Sequence, residues 1–133
     1  MKKDIEIPEV KNVGVCAFPE NVEGMDVWKI HFINMHNTAL EKVFVNSRGY
    51  GKKDNEEVQT SGLKHNFESV PAQSSKEVEM ILKDLTGLNN QYWVSFFIGN
   101  RVYDKKFIFP PNSLIEGNMI DIPIVGKKGI LII

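Results

Sequence analysis

The residues that could carry chemistry in this chain are few and widely spaced. It has three histidines (His31, His36 and His65), one cysteine (Cys16), and carboxylates scattered mostly beside lysines. No histidine or cysteine pair has the short spacing of a structural zinc site, so no metal is expected. The carboxylates form no recognisable acid–base pair, and no Gly-x-Ser-x-Gly nucleophile motif occurs. His65 shares a face with Leu63 and Phe67, where an imidazole needs a hydrogen-bond partner. A satisfied core histidine is the preferred reading, with a general base as the alternative. His31 is expected to face solvent, and His36 falls in a turn. Cys16 lies in the apolar run 13–18 and reads as a small buried hydrophobe, because no base or cation stands beside it to activate a thiolate.

The glycine-rich piece Arg48-Gly49-Tyr50-Gly51-Lys52-Lys53 has the look of a phosphate loop. It lacks the Walker spacing, and no helix follows whose N-terminus could hold a phosphate, so it reads as a hairpin turn with solvated lysines. Asp104-Lys105-Lys106 reads as a charged outer face or a bulge. No catalytic residue and no cofactor emerge from these patterns.

Composition sets the frame for the elements that must position these residues. A chain of 133 residues predicts one domain, 1–133, large enough to bury a core. With 42% hydrophobic and 25% charged residues it is globular rather than disordered. A net charge of −1 supplies no bulk attraction to nucleic acid or anionic membranes. One cysteine precludes an internal disulfide, residues 1–10 alternate charge with Ile5 and Ile7 instead of forming a signal peptide, and no window reaches a membrane span. A cytoplasmic protein without a membrane partner is expected.

Short β-type runs followed by turn clusters recur along the chain. Strands are expected at 13–18, 27–34, 40–50 and 59–70, the last bent near Gly62, with 52–57 as an exposed loop. Trp28, Ile30 and Phe32 share one face of the second strand, Lys29 and His31 the other. Segment 74–88 is ambiguous. Ser74 and Glu77 form a capping-box pattern ahead of helically spaced Val78, Ile81, Leu82 and Leu85, whereas Val78, Met80 and Leu82 alternate with Glu77, Glu79 and Lys83 as a strand does. The strand is preferred, since a lone helix would interrupt a sandwich. Segment 91–98 is apolar on both faces and therefore central, Gly99-Asn100 is a hairpin turn, and 101–109 returns until Pro110 and Pro111. A broken extended piece, 118–125, precedes the all-apolar strand 130–133.

Tyr92, at the start of a central strand after a leucine-bearing corner, resembles the tyrosine corner of immunoglobulin-like domains, though the cysteine pair of antibody domains is missing. The expected fold is an all-β, immunoglobulin-like antiparallel sandwich of about seven to nine strands. If Tyr92, Val94, Phe96 and Ile98 face its core, Trp93 and Phe97 face outward, and the neighbouring third strand adds Phe44, Arg48 and Tyr50. Aromatics with an arginine are the composition of protein interfaces. The competing possibility is that segment 130–133 folds over this face and buries it.

Gly49-Tyr50-Gly51 with Thr60-Ser61, then 89–95, then Tyr103-Asp104-Lys105-Lys106, resembles a family of small bacterial proteins, some labelled phenylalanyl-tRNA synthetase alpha subunit. Nothing in the chain resembles the ATP- or amino-acid-binding motifs of that catalytic subunit, so no activity or site residue follows from the likeness. The leading functional expectation is a non-catalytic module binding a protein partner or forming a homo-oligomer through Phe44, Arg48, Tyr50, Trp93 and Phe97. One alternative is a nucleic-acid or translation-associated module using Arg48, Tyr50, Lys52, Lys53, Lys64, Arg101, Tyr103, Lys105 and Lys106; it is disfavoured by the net charge and the acidic run 54–57. A further alternative is a small-ligand or enzymatic domain with a cavity between the sheets.

Overall fold

A computed structural model describes residues 9–60 and 62–133; the charged stretch 1–8 and Ser61 lie outside the described residues. The chain opens with a hairpin. Strand β1 (Val13–Val22) turns at Glu23 and Gly24 into β2 (Met25–Asn34), pairing Val22 with Met25. Both turn residues have positive φ (49° and 85°), as the tight hairpin turn demands. The expected strand 13–18 thus runs on through Pro19, which sits inside β1. It is tolerated because the neighbour on the other side of β1 pairs only Val15, Cys16 and Ala17, so Pro19 lies beyond that pairing, along an edge.

A second tight hairpin replaces the expected loop at 52–57. Strand β3 (Leu40–Lys53) turns at Asp54 and Asn55, with φ of 54° and 67°, into β4 (Glu56–Gln59). The expected strand 59–70 is two strands. After β4 ends at Gln59, β5 (Leu63–Val70) takes up the same edge of β3. The end of β4 is locked by Thr60 N–H donating to the Gly49 carbonyl (2.8 Å) and Gly49 N–H donating to Thr60 Oγ1 (2.7 Å).

Segment 74–88 resolves as strand β6 (Ser74–Leu82) followed by a single 3-10 turn, Lys83–Leu85. Its facing differs from simple alternation. Ile30 pairs with Glu79 and His31 with Glu77, which leaves Val78 as an extra, bulged residue. Beyond the bulge the phase shifts, so Ile81 is buried while Met80 and Leu82 are exposed. The last hairpin, β7 (Asn89–Ile98) and β8 (Arg101–Phe109), turns at Gly99 and Asn100 as its sequence indicates. The 118–125 piece is a 3-10 turn (Glu116–Asn118) and a two-residue strand, β9 (Ile120–Asp121), ahead of β10 (Lys128–Ile132).

Among the described residues these ten strands form two antiparallel sheets stacked as an all-β sandwich, against an expectation of about seven to nine. The first sheet has the order β6-β2-β1-β10-β9; in the second, β4 and β5 together flank β3, followed by β7 and β8. Between them lie the fully buried rings of Phe32, Tyr92, Phe96, Phe107 and Phe109, with Val15, Ile30, Val43, Val45 and Val94 filling the gaps. Tyr92 is not a tyrosine corner: its hydroxyl donates to the Glu79 carboxylate across the sheets instead of to nearby backbone. Among the described residues no helix is long and apolar enough to cross a membrane.

Segment 130–133 does not cover the Trp93 and Phe97 face. Strand β10 inserts into the first sheet beside β1, pairing Ala17 with Ile130 and Val15 with Ile132. The loop before it lays Ile122 and Val125 over the outer face of that sheet, where they pack with Cys16, Phe18, Ile33 and Leu131. Covered on both faces, residues 13–18 of β1 are all buried, which explains their unbroken apolar run.

Two glycines permit the insertion. A Cβ on Gly129 would run into the Ala17 carbonyl oxygen, and one on Gly14 would come within 2.9 Å of the Ile132 carbonyl oxygen. Both obstacles are backbone, which cannot rotate away. Gly129→Ala is expected to lower unfolding free energy by at least ~1–3 kcal/mol, as overpacking does, measured by chemical denaturation. An unchanged midpoint would show that β10 can dock without this contact.

Candidate functional site

Strand register decides what the outer face of the second sheet carries. One row across it reads Lys64, Asn46, Trp93, Lys106; the row on one side carries Arg48, Gln91 and Ile108, and on the other Asn66, Phe44, Ser95 and Asp104. Phe97 pairs with Val102 further along, and Tyr50 with Asn89 at the opposite end. Phe44, Arg48, Tyr50, Trp93 and Phe97 thus occupy one sheet face. Phe44 and Trp93 are 44% and 42% exposed, Arg48 is exposed, and Tyr50 and Phe97 are half-buried.

Two cations on this face rest on aromatic rings. Lys106 Nζ lies 4.5 Å from the centre of the Trp93 ring, and the Arg48 guanidinium 5.0 Å from that of Tyr50. Between them is a shallow basin of about 420 Å³, bordered by Asn46, Arg48, Lys64, Gln91, Trp93 and Lys106. Among the described residues no carboxylate lines it. The nine basic and aromatic residues of the nucleic-acid alternative are not all gathered here. Tyr103 stacks on buried Phe96 (5.5 Å, 11° between planes) and Lys105 lies over buried Phe107, so both occupy the core-facing side of β8.

The polar centre that sequence reading missed lies between the sheets, at the β5 and β6 edges. Glu79 enters the interior because the β6 bulge turns it inward. Its Oε1 accepts from Ser47 Oγ (2.8 Å) and His65 Nε2 (3.2 Å), and its Oε2 accepts from the Tyr92 hydroxyl (2.8 Å). The Glu79 and His65 side chains are only 15% and 21% exposed. Ser47 bonds the carboxylate and not the imidazole, so this is no nucleophile–base relay. It is a clasp between sheets. Burial, then the Glu79 charge and hydrogen bond, push the Tyr92 phenol well above its ordinary range. The only advance signal was a glutamate standing between buried Val78 and Ile81.

The remaining groups are structural. Burial pushes the Cys16 thiol up to about 12 against a small opposing hydrogen bond from the His31 backbone, so it is inert at neutral pH. His31 is half-buried, contrary to the expectation that it faces solvent. Its ring lies 5.0 Å from Phe18 and its Nδ1 3.2 Å from Ser75 Oγ, and burial, partly countered by Glu77, lowers its pKa. His36 packs edge-on against Phe96, and its buried Nε2 has no partner among the described residues. Asn34, fully buried, donates to the carbonyls of Thr38, Val70 and Pro71 and ties the β2 end to the loops beside it. Among the described residues no three His, Cys, Asp or Glu side chains come together as a metal site would need.

A larger concavity, about 690 Å³, is an open groove at one end of the sandwich where Trp28, Leu114 and Met119 meet Asp26, Lys83 and Glu116. It holds no candidate site residue. Gly49, Thr60, Asn89 and Asn90, which belong to the family resemblance, bond one another's neighbourhood: Asn89 Nδ2 donates to the Tyr50 carbonyl, and Asn90 Nδ2 to those of Leu85 and Leu88. They hold backbone together. Comparison of the chain with protein-family models, curated proteins and solved structures returns no match.

Two outcomes follow from the clasp and the thiol. Tyr92→Phe is expected to cost about 1.5–3 kcal/mol, the worth of one hydrogen bond to a charged group, and Glu79→Ala more, since it strands three donors. A double-mutant cycle should show strong coupling between the two. Because the folded phenol holds its proton more tightly than the unfolded one, its contribution is complete below the ordinary phenol value of 10.0 and declines as pH rises above it. Denaturation curves at pH 8 and pH 11 should therefore converge in the Tyr92→Phe variant relative to the parent. Cys16 should resist a thiol reagent in the native protein and react on unfolding; rapid native labelling would contradict its burial.

Proposed function

We propose that this chain is a non-catalytic binding module that docks a protein partner through the outer face of the second sheet. The observation carrying this reading is the exposed patch of Phe44, Trp93, Val102 and half-buried Phe97 on one sheet face, with Arg48 alongside. Large exposed aromatics beside arginine are the anchors that interfaces favour. An immunoglobulin-like relationship is supported by the pairing of β2 with β6 in one sheet and of β3 with β7 and β7 with β8 in the other, the order of B–E and C–F–G strands. The buried free thiol suits a reducing compartment, and we read the module as cytoplasmic.

The alternatives draw less support. An inter-sheet ligand cavity would need space where the aromatic rings now pack, and the polar groups there already satisfy one another. A nucleic-acid track would need Tyr103 and Lys105 on the outer face, which the β8 register denies them.

The test is the paired replacement Trp93→Ser/Phe97→Ser. It should leave the NMR spectrum dispersed and the melting temperature within a few degrees, while abolishing co-purification of the native partner. Analytical ultracentrifugation of the purified chain separates a foreign partner from a second copy: a dimer lost in the double variant would assign the face to self-association. Unchanged association in a folded double variant would refute the docking reading.

A further inference from the structure

We propose that the basin around Trp93 takes a short acidic peptide segment, whose carboxylates are held by Arg48, Lys64 and Lys106. This rests on the docking reading and names the partner's chemistry. The argument begins with how the cations are held. Lys106 and Arg48 are each placed by an aromatic ring, at 4.5 and 5.0 Å. Among the described residues neither they nor Lys64 has a carboxylate within 4 Å, in contrast to Lys29, which bonds Glu77 at 3.1 Å. A salt bridge would consume a cation's donors. A ring attracts the charge through its quadrupole and leaves the N–H groups free to meet an anion.

The amides add to this. Exposed Asn46 stands between Lys64 and Trp93 in the same row and offers N–H and carbonyl groups to a backbone, with the largely buried Gln91 at the floor of the basin. Lys64 and Lys106 sit on strands three spacings apart, about 14 Å, which is the reach of roughly four residues of extended chain. The exposed indole of Trp93 lies in the middle of that span and supplies an apolar contact for a side chain between the acidic ones.

The surroundings limit the path an anion can take. Asp104 lies on the same face two residues from Lys106, and Glu68 lies two positions beyond Asn66 on exposed β5. A long phosphate backbone would have to pass these carboxylates, and binding of that kind relies on an extended run of cations. Both carboxylates lie on the Phe44 side of the Lys64–Trp93–Lys106 row, so a segment of four or five residues laid along that row avoids them.

The probe is an acetylated, amidated hexapeptide of alternating glutamate and leucine, titrated into the full chain and followed by 15N NMR. Shifts should centre on Asn46, Lys64, Trp93 and Lys106 and weaken as salt rises. Affinity should be at least tenfold higher than for the same peptide with glutamine for glutamate, and should fall at least tenfold in Arg48→Gln/Lys106→Gln. Shifts centred elsewhere, equal binding of the glutamine peptide, or tighter binding of hexauridylate at the same residues would each overturn the proposal. Association with the native partner separates this inference from the one beneath it. If Trp93→Ser/Phe97→Ser abolishes association but Arg48→Gln/Lys64→Gln/Lys106→Gln preserves it, the face docks a partner that is not acidic and this inference falls alone. If the aromatic variant keeps association while the peptide still binds in the basin, the docking reading falls and the acidic-peptide site stands.

Discussion

Strand β10 can lie against β1 only because Gly129 carries no side chain where the Ala17 carbonyl approaches, and because Gly14 leaves similar room beside Ile132. Much of the architecture follows from that contact. Once Ile130 and Ile132 pair with Ala17 and Val15, the preceding loop is drawn across the outside of the first sheet. Its Ile122 and Val125 then close over Cys16, Phe18 and Ile33 as a second small core. Residues 13–18 of β1 are consequently dry on both faces, whereas Glu77 and Met80 on β6 stay exposed. The chain has no further segment among the described residues to lay over the second sheet, whose outer face is left to solvent. The room at these two glycines thus decides where β10 docks and which strand is covered on both faces.

The clasp at Glu79 shows a different balance. An ionised carboxylate in the space between two sheets is costly unless its oxygens are satisfied. Three donors from the second sheet supply that, on β3, β5 and β7. The bulge at Val78 is what makes the arrangement possible, since uniform alternation would send Glu79 outward and bring Met80 in. Because every donor comes from the opposite sheet, the clasp sets the lateral position of β6 over β5 more narrowly than apolar packing would. Greasy contacts are non-directional; three hydrogen bonds to one carboxylate are not.

What could be read from sequence was whatever repeats at short range. The hairpin at Gly99-Asn100, the inward Tyr92, Val94 and Phe96, and the consequent outward Trp93 and Phe97 all follow from period-two alternation. So does the place of Phe44, Arg48 and Tyr50, once β3 is put beside β7. The misses have local physical causes. Glu23 and Asp54 adopt positive φ in tight turns that sequence usually marks with Asn-Gly, so two hairpins were hidden, and Pro19 disguised the first further. The bulge in β6 reversed the facing of Met80 and Ile81. The destination of 130–133 was illegible for another reason: an apolar run announces burial without saying against what, and the backbone clash that reserves Gly129 exists only in three dimensions.

The outer face of the second sheet also has to survive without a partner, and its charges bear on that. A flat sheet face with two exposed aromatics invites non-specific stacking. Lys106 over Trp93 keeps a hydrated ammonium above the ring, so an apolar surface approaching the indole must first displace or neutralise that charge. An acidic group can do so favourably; another apolar face, or a second copy bringing its own Lys106, cannot do so without cost. Asp104, Lys105 and Lys106 in succession on β8 place the same protection along the free edge of the sheet, where strand addition would otherwise be open. The cation that guards the free state is therefore also the group that distinguishes one approaching surface from another, and discrimination arises here from the repulsive element as much as from the attractive one.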